Sequence, residues 1–293
     1  MIPREPAIET APGWQARLHL RYAYRDGKTV LIERNHIGPL RVQKALYPEG
    51  GSICHTMVLH PPGGIAGGDQ LEIGVDAEPA SQALLTTPGA TRWYKSGGIE
   101  STEYQSKGAV ATQRVHLAIG NAAMLEWLPQ ENIVFNAANA ELSTVIELAG
   151  NAQYLGWDIL CLGRAASGER FTAGCVRQRV ELWRDKRRLW LEYGTLRGDD
   201  DILRSVAGLQ GATVTATLIA ASQHIDKGLL GRCREVAAPR EGQTGITALP
   251  QLLLARYLGH SAEAAKHYFI ALWSVLRPAL KGVPICAPRI WQT

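Results

Sequence analysis

Short runs of alternating apolar and polar residues, cut by glycine or asparagine, dominate this chain from Trp14 to about Ala221. QRVHLAIG, STVIELAG, QYLGWDILCLG, QRVELWRDKRRLWLEYG and ATVTATLIA are the clearest of them. Side chains on a strand alternate faces with period two, so each run suits a half-buried strand. In VELWRDKRRLWLEY two such runs flank a charged turn, which predicts a hairpin. No fixed period of about 20 to 50 residues emerges when the segments are overlaid, so a solenoid of sequence-identical coils is not expected. Many strands of similar length still need two packed sheets or a closed surface to hide their apolar faces. The expectation is a mainly β chain, either a large β sandwich or an irregular β helix.

Toward the C-terminus the pattern changes. ALPQLLLARYLGHSAEAAKHYFIALWSVLRPALKG places apolar residues at 265, 268, 269, 272, 273 and 276, the spacing of one helix face. Ser261 suits its N-cap, and Pro278 marks where it ends or kinks. Leu249, Leu252, Leu253 and Tyr257 predict a preceding helix, broken at Gly259. With no Pro/Ser-rich linker, residues 1–293 form one domain: a β-rich framework at 14–221, a helical segment at 245–281 and a tail at 282–293. The stripe of Phe269, Trp273 and Leu276 is core in the plain reading. It is a docking face for a partner protein if the sheets already cover one another.

Composition narrows the function classes. A net charge of +4 over 293 residues is small. The one basic cluster, Arg184, Lys186, Arg187 and Arg188, reads as a solvated hairpin tip and not as a nucleic-acid surface. The five cysteines form no CxxC pair, and their odd number fits a disulfide framework poorly. No leader-like or membrane-spanning apolar run is present, so a cytoplasmic protein without membrane contact is expected.

The loop HPPGGIAGGDQL tests as a phosphate cradle and fails. Gly63 and Gly68 have P-loop spacing, but Asp69 and Gln70 stand where Lys and Ser or Thr are required. Ile65 occupies the second glycine position of a dinucleotide fingerprint. Cys54, His55 and His60 lie close in sequence, but on a strand His55 and His60 point to opposite faces. Neither a HExxH nor a spaced Cys/His set is present, nor a G-x-S-x-G elbow. The acidic triplet Asp199, Asp200 and Asp201 lacks the spacing of a calcium loop and reads as a turn or helix N-terminus. Asp69, Glu126, Glu131, Asp158 and Glu192 leave a pair of catalytic carboxylates open, as in a carbohydrate-active β-helix enzyme.

Taken together, RVQKALYPEG, CHTMVLHPPGGIAGGDQL, LLTTPGATRWYKS, LEWLPQENIVF, LGWDILCLGRAASGERFTAG and the terminal PRIWQT resemble the urease accessory protein family UreD, called UreH in some organisms. The matches run in the family's order from about Arg41 to Thr293. The resemblance implies an irregular β-helix-like framework with two helices. It also implies a non-catalytic scaffold that acts with UreF and the GTPase UreG on the urease apoprotein to load nickel. It implies no tightly bound cofactor, only Ni²⁺ in transit along a polar internal path. Asp69 is the first candidate lining residue, followed by Thr87, Thr91, Glu126 and Glu131. In the plain reading the two threonines bond across strands and the two glutamates face solvent. Phe269, Trp273, Leu276, Arg289 and Trp291 are the candidate partner contacts, the last two equally suited to tying the terminus into the core.

Overall fold

A computed structural model describes residues 13–96 and 108–292. The chain enters through β1 (Gln15–Arg25), β2 (Lys28–Ile37) and β3 (Arg41–Val42). It then winds through β4 (Cys54–Leu59) and β5 (Gly64–Ile65), then β6 (Gln70–Ala77), β7 (Gln82–Thr86) and β8 (Thr91–Trp93). The next turns are β9 (Ala111–Ile119), β10 (Met124–Trp127) and β11 (Asn132–Val134), then β12 (Asn139–Leu148) and β13 (Gln153–Leu162). It leaves by β14 (Cys175–Arg184), β15 (Arg187–Arg197), β16 (Val214–Ala221), α1 (Lys227–Arg234), β17 (Gln243–Leu249), β18 (Leu252–Gly259) and α2 (Ala262–Lys281).

Three parallel ladders stack these turns into a β-helix-like body: β1-β6-β9-β12-β14, β4-β7-β10-β13 and β5-β8-β11-β13. Antiparallel pairs flank the parallel strands, with β2 and β15 at the edges of one sheet and β3 and β17 at the edges of the other. The lack of a sequence period has a direct cause. Along the third ladder the partners Gly64, Arg92, Ile133 and Cys161 are 28, 41 and 28 residues apart by their own numbers. Ladder register is kept while the corners vary in length, so self-comparison finds nothing. The β14–β15 hairpin forms as expected, with Asp185 and Lys186 at φ 48° and 65° in its two-residue turn.

Alternation along β13, β16 and β18 separates two cores. Tyr154, Leu160, Leu162, Ile219, Ala221, Leu252 and Leu254 fill the space between the sheets. Leu155, Trp157, Ile159, Leu218, Ala220, Leu253, Ala255 and Tyr257 face outward, where α1 and α2 cover them.

Two expectations for the C-terminal quarter need correction. The helical pair exists, but its first member is α1, and residues 243–259 form the β17–β18 hairpin, turning at Pro250 and Gln251. Leu252, Leu253, Leu254 and Ala255 are consecutive buried residues because this strand has a core on each face. A strand buried on both sides makes a continuous apolar run that periodicity does not distinguish from a helix. The second correction concerns only the ending at Pro278, which lies inside α2. The Ser261 hydroxyl caps that helix at Ala264 N, 3.1 Å, and the helix continues to a left-handed Gly282.

Candidate functional site

Between the sheets the apolar alternation is broken at one level by polar side chains. Gln113 on β9, Thr144 on β12, Gln178 on β14, Glu192 on β15, Asp158 on β13, Thr215 and Thr217 on β16 and Arg256 on β18 surround a cavity of about 160 Å³. The corners between ladders add Thr87, Thr91, Gln130 and Asn132. Cysteine and histidine are absent from its described lining.

The cavity's charged groups are individually held. Asp158 accepts from Asn132 Nδ2 at 2.8 Å and Gln178 Nε2 at 2.6 Å. Asn132 is itself fixed, because its Oδ1 accepts the Trp93 indole N–H at 3.0 Å. Burial pushes the Asp158 carboxyl up to about 6, reinforced by the charge of Glu192 and opposed by the two amide donors. Arg256 clamps both oxygens of Glu192 and also reaches Thr217 Oγ1 at 3.1 Å. The Thr87 hydroxyl accepts the backbone N–H of Gln130 at 2.9 Å.

The residues singled out in the sequence separate into four places. Thr87 and Thr91 line the cavity. Asp69, which is 9% exposed, lies elsewhere: its carboxylate accepts from the backbone N–H groups of Trp14 and Ala66, both at 2.8 Å, and so pins the loop to the segment before β1. The glycines beside it serve close approach and backbone direction. Gly68 has φ +94°, and a Cβ on Gly64 would lie 2.2 Å from the Tyr94 ring.

Glu126 does not face solvent. It is 2% exposed and accepts from Trp273 Nε1 at 2.6 Å and Arg277 Nε at 3.0 Å. Arg277 also grips Glu49 through two bonds of 2.7 and 2.8 Å, and Glu49 meets His55 Nε2 at 2.6 Å. Burial raises the Glu126 carboxyl above its ordinary value, against the pull of Arg277 and Trp273. A set made wholly of donors suits the ionised, accept-only carboxylate. Burial also pushes Glu49 up, but the bonds from His55 and Arg277 outweigh it and hold Glu49 below the usual range.

Glu131 lines a groove of about 410 Å³ on the other side of Gln130, together with Glu263, Lys266, His267 and Trp291. Phe269, Trp273 and Leu276 are fully buried against the sheet, which corrects the expectation of a partner surface there. Their stripe is spent on the second core. Trp291, in a short helical turn at Arg289–Gln292, packs its ring against Trp157 and Trp273 and donates to Thr86 Oγ1 at 2.9 Å. It ties the tail down, whereas Arg289 is exposed; Thr293 lies outside the described residues. Sequence reasoning did not bring Asp158 and Glu192 together at one cavity. The signal for Asp158 is a lone carboxylate inside the apolar run LGWDILCL.

Among the described residues no three His, Cys, Asp or Glu side chains converge as a metal cluster, and no helix is long and apolar enough to cross a membrane. The architecture is that of a mainly β scaffold with a polar cavity in an otherwise apolar interior and a helical cover. The model of the UreD urease accessory proteins matches residues 15–292. Urease accessory protein UreD of Dechloromonas aromatica is 50% identical, covering 97% of this chain and 96% of its own length. The corresponding proteins of Azoarcus sp. and Pseudomonas fluorescens Pf-5 are each 46% identical, over 96% and 100% of this chain and 95% and 99% of their own. The chain therefore belongs to the UreD family, and its role lies in urease maturation.

Proposed function

We propose that this chain is a non-catalytic scaffold which, with UreF and the GTPase UreG, docks on the urease apoprotein, and that Ni²⁺ crosses it through the cavity between the sheets. The observation that carries the reading is the chemistry of the lining's polar groups: hydroxyls, amides, two carboxylates and the two arginines Arg179 and Arg256, without thiolate or imidazole. Thiolates and imidazoles hold nickel strongly, while oxygen donors of this kind exchange quickly. Conduction needs sites favourable enough to enter and weak enough to leave. Thr87, Thr91, Asn132 and Gln178 supply neutral polar contacts, and Asp158 and Glu192 the negative charge. Arg256 offsets part of that charge and limits how tightly a divalent ion is held.

The test is urease purified from cells that carry Asp158→Asn in place of the parent chain. Reduced nickel in urease, with the accessory complex assembled at normal stoichiometry, supports the route. Normal nickel with normal assembly removes the cavity from it.

A further inference from the structure

The interior cavity and the outer groove share one wall. Gln130 lines both, and it is 8% exposed. From the groove side, Lys266 on α2 donates to Gln130 Oε1 at 2.6 Å, and its ammonium lies 5.1 Å from the centre of the Trp291 ring. The pair thus joins the helical cover to the corner between β10 and β11 at the place where the two spaces come nearest through a polar side chain. Around the groove stand Glu131, Glu263 and His267. They do not converge as a chelate, which suits a hydrated cation held through its water shell.

We infer that this groove is an outer mouth of the interior cavity, and that Lys266 closes it by holding Gln130 across the opening. A positive side chain at the mouth of a cation route repels an ion of like sign, so passage requires Lys266 to swing off Gln130. Nothing covalent is involved; one hydrogen bond breaks and water takes its place. The assignment of nickel as the ion rests on the function proposed above, while the mouth itself does not.

Two variants act in opposite directions. Lys266→Met keeps the length of the side chain and removes the charge and the bond, so it opens the mouth. Gln130→Glu converts the bond to an ion pair, so it holds Lys266 in place. The first measurement uses the full chain without nickel: solvent exchange of the Asn132 side-chain amide, which lines the cavity and donates to Asp158 Oδ1 at 2.8 Å. Exchange is expected to be about tenfold faster in Lys266→Met, the scale of one charge-assisted hydrogen bond, and slower in Gln130→Glu. Equal rates in parent and both variants, or the same direction of change in both, overturn the mouth.

The second measurement is the initial rate of nickel appearance in urease apoprotein, with Asp158→Asn as the cavity control. Faster transfer in Lys266→Met and slower transfer in Gln130→Glu support the closure as a nickel gate. Rates that follow Asp158→Asn but ignore both mouth variants overturn the gate and leave the cavity route standing. Opposite exchange effects with transfer indifferent to all three variants uphold the mouth and overturn the nickel reading.

Discussion

Glu126 on β10 accepts the indole N–H of Trp273 on α2 at 2.6 Å, joining residues 147 positions apart in a site that excludes water. With Arg277 on the same carboxylate, the helical cover is bolted to the parallel sheet by charge as well as by apolar area.

Removing the cation from this bolt leaves Glu126 and Glu49 without their shared guanidinium. Arg277→Met is expected to cost about 3 to 5 kcal/mol, the usual penalty for breaking a buried pair by removing one partner. Urea unfolding of the parent and the variant measures it. A loss below about 1 kcal/mol would show that the pair is solvated in solution, where exposed pairs contribute that little.

Asp158 gives a pH signature of known sign. Its folded value of about 6 lies above that of an unfolded aspartate, so its contribution to stability is complete below the unfolded value and is lost as pH rises through 6. Asp158→Asn removes this dependence. The variant's stability relative to the parent is expected to rise by about 1 to 2 kcal/mol between pH 3.5 and pH 7.5, after allowing for water in the cavity. Denaturant titrations at the two pH values test it, and a relative fall overturns the assignment.

Asp69→Ala removes the acceptor of two backbone N–H groups and should destabilise the chain by about 1 to 3 kcal/mol. Because this carboxylate is directed at Trp14 and Ala66 and not into the cavity, assembled complexes carrying the variant should still supply nickel normally. Nickel content per assembled complex is the measurement; a deficit at full assembly would return Asp69 to the route.

Trp291→Ala removes a half-buried ring that touches Trp157, Trp273 and Lys266. A loss of about 2 to 3 kcal/mol is expected, somewhat under the value for a fully buried tryptophan. Thermal unfolding of the full-length variant reads it, and an unchanged midpoint would mean that the tail is free in solution.

Local patterns carried much of this fold in legible form. The β14–β15 hairpin, the strands with polar outer faces and the Ser261 cap of α2 each depend on neighbours within a turn or two. What failed did so for identifiable reasons. Leu252 to Ala255 read as helix because a core on both faces erases alternation. The pairing of Glu126 with Arg277 joins two distant segments, and no local rule connects them. Thr87 and Thr91 are at the cavity, but the residues opposite them come from β13, β14 and β15, whose meeting depends on the winding of the whole chain.

The antiparallel strands at the sheet edges have a further consequence. A stack of parallel strands ends in a row of unpaired N–H and C=O groups able to template another copy. Here the edge strands are β2 and β15 in one sheet and β3 and β17 in the other; β15 carries Arg187, Arg188 and Arg197 and has a register shift where it meets Leu182 and Trp183, and charge and bulges of this kind discourage a further strand. They serve as bookends. A chain clipped within the Asp185–Lys186 turn and stripped of β15 would present the naked flank of β14, and its characteristic fault would be growth into fibres.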